Sequence, residues 1–340
     1  MVRAFVCGCA GLELDPLERA FLAETQPWGL ILFRRNVSSP EQLQGLTAAF
    51  RDAVGRPDAP VLVDQEGGRV QRLAPPLWTR YPAASTYADV YATDPEAGRR
   101  LARLGGELIA RDLTAAGITI DCAPVLDVPV EGSSTVIGDR AFGRDPETIA
   151  ALARSFAEGL MAGGVLPVVK HCPGHGRAEV DSHLELPVVV ASRAELDRDF
   201  APFKALADLP MAMTAHVTYR VLDPDRPATT SPLVIERIIR GEIGFDGLLL
   251  SDDLSMEALR GSLGERASAA SVAGCDILLH CNGDLDEAKA VAAVAPALDG
   301  RSARRASAAL SRIDASRTRT MEASRDMESE RSAFLAEMAA

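Results

Sequence analysis

Two short segments of this chain concentrate the residue types that do chemistry: Lys170–His183, reading KHCPGHGRAEVDSH, and Ser251–Asp253, reading SDD. His171 and His175 have a spacing that on a helix would suit zinc, but Pro173 and Gly174 between them break a helix. Lys170 and His171 instead close an apolar run, Pro-Gly-His-Gly turns sharply, and Asp181 and His183 lie on the loop beyond. Side chains two apart in extended chain project to one side, so Asp181 can orient His183 and support its protonated form. A histidine with an ordinary pKa near ~6.5 gives and takes a proton at neutral pH, which makes the pair a general acid/base candidate. In the second segment two carboxylates end a strand ahead of a helix. One is expected to cap that helix. Asp252, closest to the strand, then points into the site as nucleophile or electrostatic stabiliser, and Asp253 is the capping or supporting residue.

Other polar residues fall at comparable places. VDQEGGRVQRL (Val63–Leu73) puts Asp64 at a strand end, followed by two glycines that let backbone approach a ligand closely, then Arg69 and Arg72. GDRAFGRDP (Gly138–Pro146) offers Asp139 and Arg140 on a loop ahead of a helix. Asp121, His216 and His280 also sit in or at the ends of apolar runs. A lone aspartate such as Asp121 or Asp253 is best read as satisfying a helix end or buried backbone group. The ensemble, drawn from several strands, reads as a site.

The elements that must position these groups are apolar runs at Ala4–Cys9, Gly29–Phe33, Pro60–Asp64, Ile118–Ala123, Leu166–His171, Met211–His216, Gly247–Asp252 and Cys275–His280. Each is apolar almost throughout, as a strand buried on both faces of a parallel sheet should be. Helical periodicity fills the spaces between them: a short piece around Asp15–Glu24, then Pro40–Val54, Asp94–Ala116, Pro146–Gly163, Arg193–Leu206, Pro232–Arg240, Met256–Ala273 and Leu285–Ala295. Pro40, Pro146 and Pro232 stand where a first-turn proline is tolerated. Eight strands alternating with helices predict a closed (β/α)8 barrel of TIM type in a single domain, a fold that needs about 250 residues. Its active site would lie at the C-terminal ends of the strands. No GxGxxG follows the first strand and no GxxxxGK[ST] occurs. Residues 1–300 are expected to form the barrel and 301–340, rich in Ala, Arg, Ser and Glu, a helical tail packed on or near it.

Composition removes several function classes. The 340 residues are 47% hydrophobic and 25% charged, with a net charge of −12, and no basic cluster with interleaved aromatics appears, so a nucleic-acid partner is not expected. No stretch approaches the ~20 apolar residues that span a bilayer. Val6-Cys7-Gly8-Cys9 faintly resembles a lipoprotein cleavage site, but the apolar run is too short for a signal peptide and Glu13 and Asp15 follow at once. A cytoplasmic, monomeric protein is expected. The six cysteines form no CxxC pair and read as buried small hydrophobes in a reducing compartment.

KHCPGHGRAEVDSH resembles the signature K-H-[F/apolar]-P-G-H-G-x4-D-S-H of the β-N-acetylglucosaminidases (β-hexosaminidases) within glycoside hydrolase family 3, in their bacterial single-domain form. VDQEGGRVQRL, the GDRAFG loop and SDDLSMEAL resemble further landmarks of that group in the same order, so the match spans most of residues 1–300. The resemblance implies a barrel enzyme that removes terminal N-acetyl-β-glucosamine, with GlcNAc–anhydro-muramoyl peptides from cell-wall recycling as substrate and no cofactor or metal. It implies Asp252 as nucleophile, His183 as acid/base, Asp181 as its orienting partner, and Asp64, Arg72, Arg140, Lys170 and His171 as sugar-binding residues. Cys172 stands where the family usually carries an aromatic residue. The mechanism implied is double displacement through a covalent glycosyl-enzyme. The alternatives are a substrate-assisted or phosphorolytic glycosidase, a metal-dependent hydrolase built on His171, His175, His183 and Asp181, and a non-catalytic sugar-binding protein.

Overall fold

A computed structural model describes residues 1–182, 185–320 and 327–339. The eight apolar runs form the eight strands of a closed barrel: β1 (Arg3–Cys7), β2 (Pro27–Leu32), β3 (Val61–Val63), β4 (Ile120–Asp121), β5 (Leu166–Cys172), β6 (Met211–Thr214), β7 (Leu248–Asp253) and β8 (Ile277–His280). Every barrel pairing is parallel, and β1 closes the ring on β8 through Phe5↔Leu278, Val6↔Leu279 and Cys7↔His280.

The strand period of two sorts each run into two cores. Val6, Leu62, Val168, Leu250 and Leu279 fill the lumen, while their neighbours Phe5, Val63, Val169, Leu249 and Leu278 face the helices. Continued by one more step, the lumen face of β3 reaches Asp64 from Leu62. That of β5 reaches Lys170 from Leu166 and Val168, and that of β7 reaches Asp252 from Leu248 and Leu250. The strand register thus delivers three charged groups to the barrel mouth.

Around the barrel lie α1 (Pro16–Thr25), α2 (Pro40–Val54), α3 (Ala84–Thr93), α4 (Pro95–Ala115), α5 (Pro146–Ala162), α6 (Arg193–Ala205), a π-type helix at Val234–Glu242, α7 (Leu263–Ala273) and α8 (Leu285–Val294). Proline opens α2, α4 and α5, and the side chains of Ser39, Asp94 and Asp145 cap them. Helix α3 was not expected. It has no side-chain cap at Ala83, so no sequence signal marks its start. The helix anticipated from Met256 begins only at Leu263, where Ser262 and Glu265 form a capping box. Asp253 is therefore not a helix cap.

The tail is two helices, α9 (Gly300–Thr320) and α10 (Met327–Met338). Ala306, Ala309 and Ile313 of α9 join the lumen core. Ser302 Oγ donates to Asp276 (2.7 Å) and Arg312 to the Asp208 carbonyl (2.9 Å), both just ahead of strand starts, so α9 lies across the N-terminal end of the barrel. A hollow of about 410 Å³ remains there, walled by Arg301, Arg304 and Arg312. Helix α10 docks on α3 and α4 through buried Phe334 against Tyr87 and an Arg331–Asp112 ion pair of 2.5 Å.

All six cysteines are free and buried, and burial pushes the Cys9 and Cys275 thiols up to about 12. Cys172 packs in the layer between barrel and helices, on the opposite side of β5 from Lys170. No helix among the described residues is long and apolar enough to cross a membrane.

Candidate active site

A cavity of about 360 Å³ opens at the C-terminal ends of the strands, with Asp64, Arg72, Arg140, Lys170, His171 and Asp252 on its walls. Asp181 lies on the same wall. His183, expected as the acid/base, lies outside the described residues. His280 does not join the site: it faces outward, with Nε2 3.0 Å from Glu287 of α8. Asp121 is also a supporting group, its Oδ1 accepting from the Gln65 N–H at 2.9 Å, and burial pushes its pKa up to about 8.

The floor is a chain of alternating charges. Arg72 donates to Asp64 (2.9 Å), and the Lys170 ammonium bridges Asp64 (2.8 Å) and Glu66 (2.7 Å). Arg140 then grips Glu66 with two bonds of 2.8 Å. Three cations and two anions leave one positive charge, a floor that suits a hydroxyl-rich ligand accepting and donating at once. Glu66, overlooked in the sequence, is the hinge of this chain. It stands two residues beyond Asp64, a spacing that marks it as a partner on the same side.

Burial works against all of these charges, and their mutual attraction outweighs it. Burial would raise the Glu66 pKa, yet Lys170 and Arg140 bring it down from the ordinary value near 4.5 to about 2. Asp64 is likewise held well below the usual carboxylate range, and Lys170 above the usual lysine range. A carboxylate depressed in the folded state stabilises the fold above its unfolded pKa and stops doing so as pH falls through the folded value. Unfolding free energy should therefore drop between about pH 4.5 and about pH 2, by at most about 3 kcal/mol for Glu66. Denaturant unfolding at pH 6 and pH 3 checks this, and Glu66→Gln should lose less across that interval than the wild type.

Asp252 sits at the centre of the mouth. Burial opposes its charge, but the facing imidazoles of His216 and His171, the Asp253 N–H (2.8 Å) and the Lys170 ammonium hold its pKa below the ordinary aspartate value. It is thus ionised at neutral pH with no cation bonded directly to it among the described residues, the state a carboxylate nucleophile needs. A chain of hydrogen bonds stands behind it. The Asp253 carbonyl can only accept, so His216 Nε2 carries a proton and donates to it at 2.9 Å. Burial keeps His216 below the usual histidine range, and its Nδ1 lies 2.7 Å from Thr229 Oγ1. Thr229 in turn bonds Thr214 (2.8 Å), which receives the Asp252 N–H (3.4 Å). The Asp253 carboxylate serves the scaffold: it binds Ser255 Oγ (2.6 Å) and N (3.0 Å) and the Cys281 N–H (3.1 Å), fastening the end of β7 to that of β8.

His171 and His175 hang on one buried group that the sequence does not reveal, Asp127. Its Oδ2 lies 2.7 Å from His171 Nδ1, and its Oδ1 accepts the His175 N–H at 2.6 Å. The two rings turn to different partners, His175 Nε2 meeting Ser182 Oγ at 3.0 Å. Among the described residues, no group of three or more His, Cys, Asp or Glu is arranged to hold a metal ion.

A closed parallel barrel with an ionised, buried carboxylate at its mouth and paired charges beneath is an arrangement suited to hydrolysing glycosidic bonds. Residues 12–317 match the family model of the glycosyl hydrolase family 3 N terminal domain. The chain belongs to glycoside hydrolase family 3. It is 47% identical over 280 residues to a beta-hexosaminidase of Alkalilimnicola ehrlichii, covering 81% of this chain and 79% of that one. A beta-hexosaminidase of Methylococcus capsulatus is 45% identical over 301 residues, 86% of each. Native NagZ from Neisseria gonorrhoeae superposes with a TM-score of 0.87 at 35% identity over 100% of this chain and 98% of that one. The same Neisseria protein in complex with N-trifluoroacetyl-D-glucosamine gives a TM-score of 0.87 at 34% identity with the same coverage.

Proposed function

We propose that the enzyme is a retaining exo-β-N-acetylglucosaminidase acting on GlcNAc–anhydro-muramoyl peptides in cytoplasmic cell-wall recycling, as a monomer. The observation that carries the reading is Asp252, a buried ionised carboxylate at the mouth of the barrel above a floor of paired charges. Relatives bearing the beta-hexosaminidase name, and a neighbour that binds an N-acylated glucosamine, support the acetamido sugar as the residue removed.

In the first step an Asp252 oxygen attacks the anomeric carbon, and the bond to the leaving oxygen breaks as that oxygen takes a proton from His183. In the second, His183 removes a proton from water, which attacks the same carbon and releases Asp252 and a β-configured sugar. Asp181 orients His183. Asp64, Arg72, Arg140, Lys170 and His171 hold the sugar hydroxyls, the Arg72–Asp64 and Lys170–Asp64 bonds (2.9 and 2.8 Å) presenting them in fixed positions. Histidine thus takes the place of the acid carboxyl in the usual two-carboxylate scheme.

The test is hydrolysis of 4-nitrophenyl N-acetyl-β-glucosaminide against the matching β-glucoside, with and without phosphate. A preference for the acetamido substrate on the order of 100-fold is expected, because a site that bonds the amide leaves polar groups unpaired with the glucoside. Free N-acetylglucosamine should be the product in both buffers. Equal rates on the two sugars would refute the specificity, and a sugar 1-phosphate as main product would refute hydrolysis.

A further inference from the structure

The D-S-H triplet holds a residue that the mechanism above leaves idle, Ser182, and the preceding Pro-Gly-His-Gly turn holds another, His175. Both are buried, each 3% exposed, although they lie on the loop that follows β5. Loop residues at a barrel mouth are ordinarily solvated, and a histidine and serine hidden together there need a reason.

Their bonding supplies one. The His175 backbone is pinned where its N–H meets the Asp127 carboxylate at 2.6 Å, and its ring meets Ser182 Oγ through Nε2 at 3.0 Å. The other ring nitrogen, Nδ1, is buried and has no hydrogen-bond partner among the described residues. An unpaired buried N–H costs more than an unpaired acceptor, so the single proton of the neutral ring belongs on Nε2 and is donated to Ser182. Burial favours that neutral form, bringing the His175 pKa down to about 4. The His171 ring stands edge-on to that of His175, with centroids 5.7 Å apart, and its Nδ1 bonds the other oxygen of the same Asp127. One buried carboxylate therefore fixes both a wall of the sugar cavity and the anchor of the loop. Asp181 and His183 flank the anchored serine directly.

We propose that His175 and Ser182 are positioning residues: the His175–Ser182 hydrogen bond, footed on Asp127, ties Ser182 to the barrel rim and so restrains the chain immediately ahead of the acid/base. The proposal rests on the reading of His183 as the acid/base, and it gives the serine of the triplet a task distinct from spacing.

The test compares Ser182→Ala, His175→Phe, the double variant and Ser182→Thr on two aryl N-acetyl-β-glucosaminides. One carries 2,4-dinitrophenolate, which leaves without a proton; the other carries 4-methoxyphenolate, which needs one. Loss of positioning should lower kcat on the 4-methoxyphenyl substrate roughly tenfold to 100-fold and spare the dinitrophenyl substrate within about twofold. The double variant should be no worse than either single one, and Ser182→Thr should restore most of the activity. Amide exchange across residues 176–182 is measured in parallel and should quicken in Ser182→Ala with the barrel strands unchanged. Equal losses on both substrates, or no loss on either, would overturn the proposal. Should the wild type turn over neither sugar, the glucosaminidase reading fails, while the exchange measurement still decides whether the tether exists.

Discussion

Replacing Asp252 with alanine should reduce turnover of 4-nitrophenyl N-acetyl-β-glucosaminide by roughly 10⁴-fold or more, the scale at which a covalent nucleophile is lost. The variant should still fold, at a modest cost in stability. The carboxylate is buried, carries its charge against the cost of desolvation and, among the described residues, accepts the Asp253 N–H. Because its pKa is held below the ordinary value, its charge stabilises the fold at neutral pH, so the variant should melt somewhat below the wild-type temperature while remaining folded. Azide supplied to the variant should restore part of the rate on an activated substrate. The product should be the α-glycosyl azide, because a single displacement inverts the anomeric carbon. In the wild type a slow 2-acetamido substrate analogue should leave a sugar mass on the peptide that contains Asp252. Full activity of Asp252→Ala would remove the assignment outright. Retained inactivity with no azide product, together with an unlabelled wild type, would favour a nucleophile supplied by the substrate's own acetamido group.

Lys170→Met should instead damage both the fold and the affinity. Lysine here is 3% exposed and stands between Asp64 and Glu66. Without its ammonium the two carboxylates face each other in a buried site, with only Arg72 and Arg140 to offset them. Breaking a buried ion pair on one side costs about 3–5 kcal/mol, which in a chain of this size lowers the melting temperature by roughly 5–10 °C. Methionine fills similar volume, so the loss reports charge rather than a cavity. The sign can be checked within the same background: adding Glu66→Gln should return part of the lost stability, because it removes one of the two stranded anions. KM should rise in both variants, since the floor loses its central donor. A melting temperature within 1–2 °C of the wild type in Lys170→Met would show that water reaches this floor freely.

The barrel could be foreseen because strands buried on both faces leave an unmistakable apolar record, and all eight runs became strands. The same period of two carried Asp64, Lys170 and Asp252 to the lumen side from Leu62, Val168 and Leu250. What escaped was whatever depends on the far side of a fold. Asp127 follows a stretch, Ala123–Leu126, with no polar pattern, and only the closed ring brings it beneath His171. His280 ends its strand like the others, yet β8 turns it outward to Glu287, which a strand-end tally cannot see. Arg140, a sugar-binding residue by resemblance, has two of its nitrogens engaged by Glu66, a partner that its loop sequence does not name. The start of α7 shifted to Leu263 because Asp253 draws Ser255 into a turn rather than opening a helix.

Closure of the ring by β1 against β8, with α9 laid across its base, bears on how the molecule is made. Strand β1 has its permanent neighbour on one side within a few dozen residues, at β2. On the other side it must wait until β8 has emerged. Through that interval the outer edge of β1 and the apolar interior are open to other nascent chains, a hazard that falls to cellular chaperones. Helix α9, which follows every strand in the chain, then covers the base, so the lumen core is completed only after β8 has emerged.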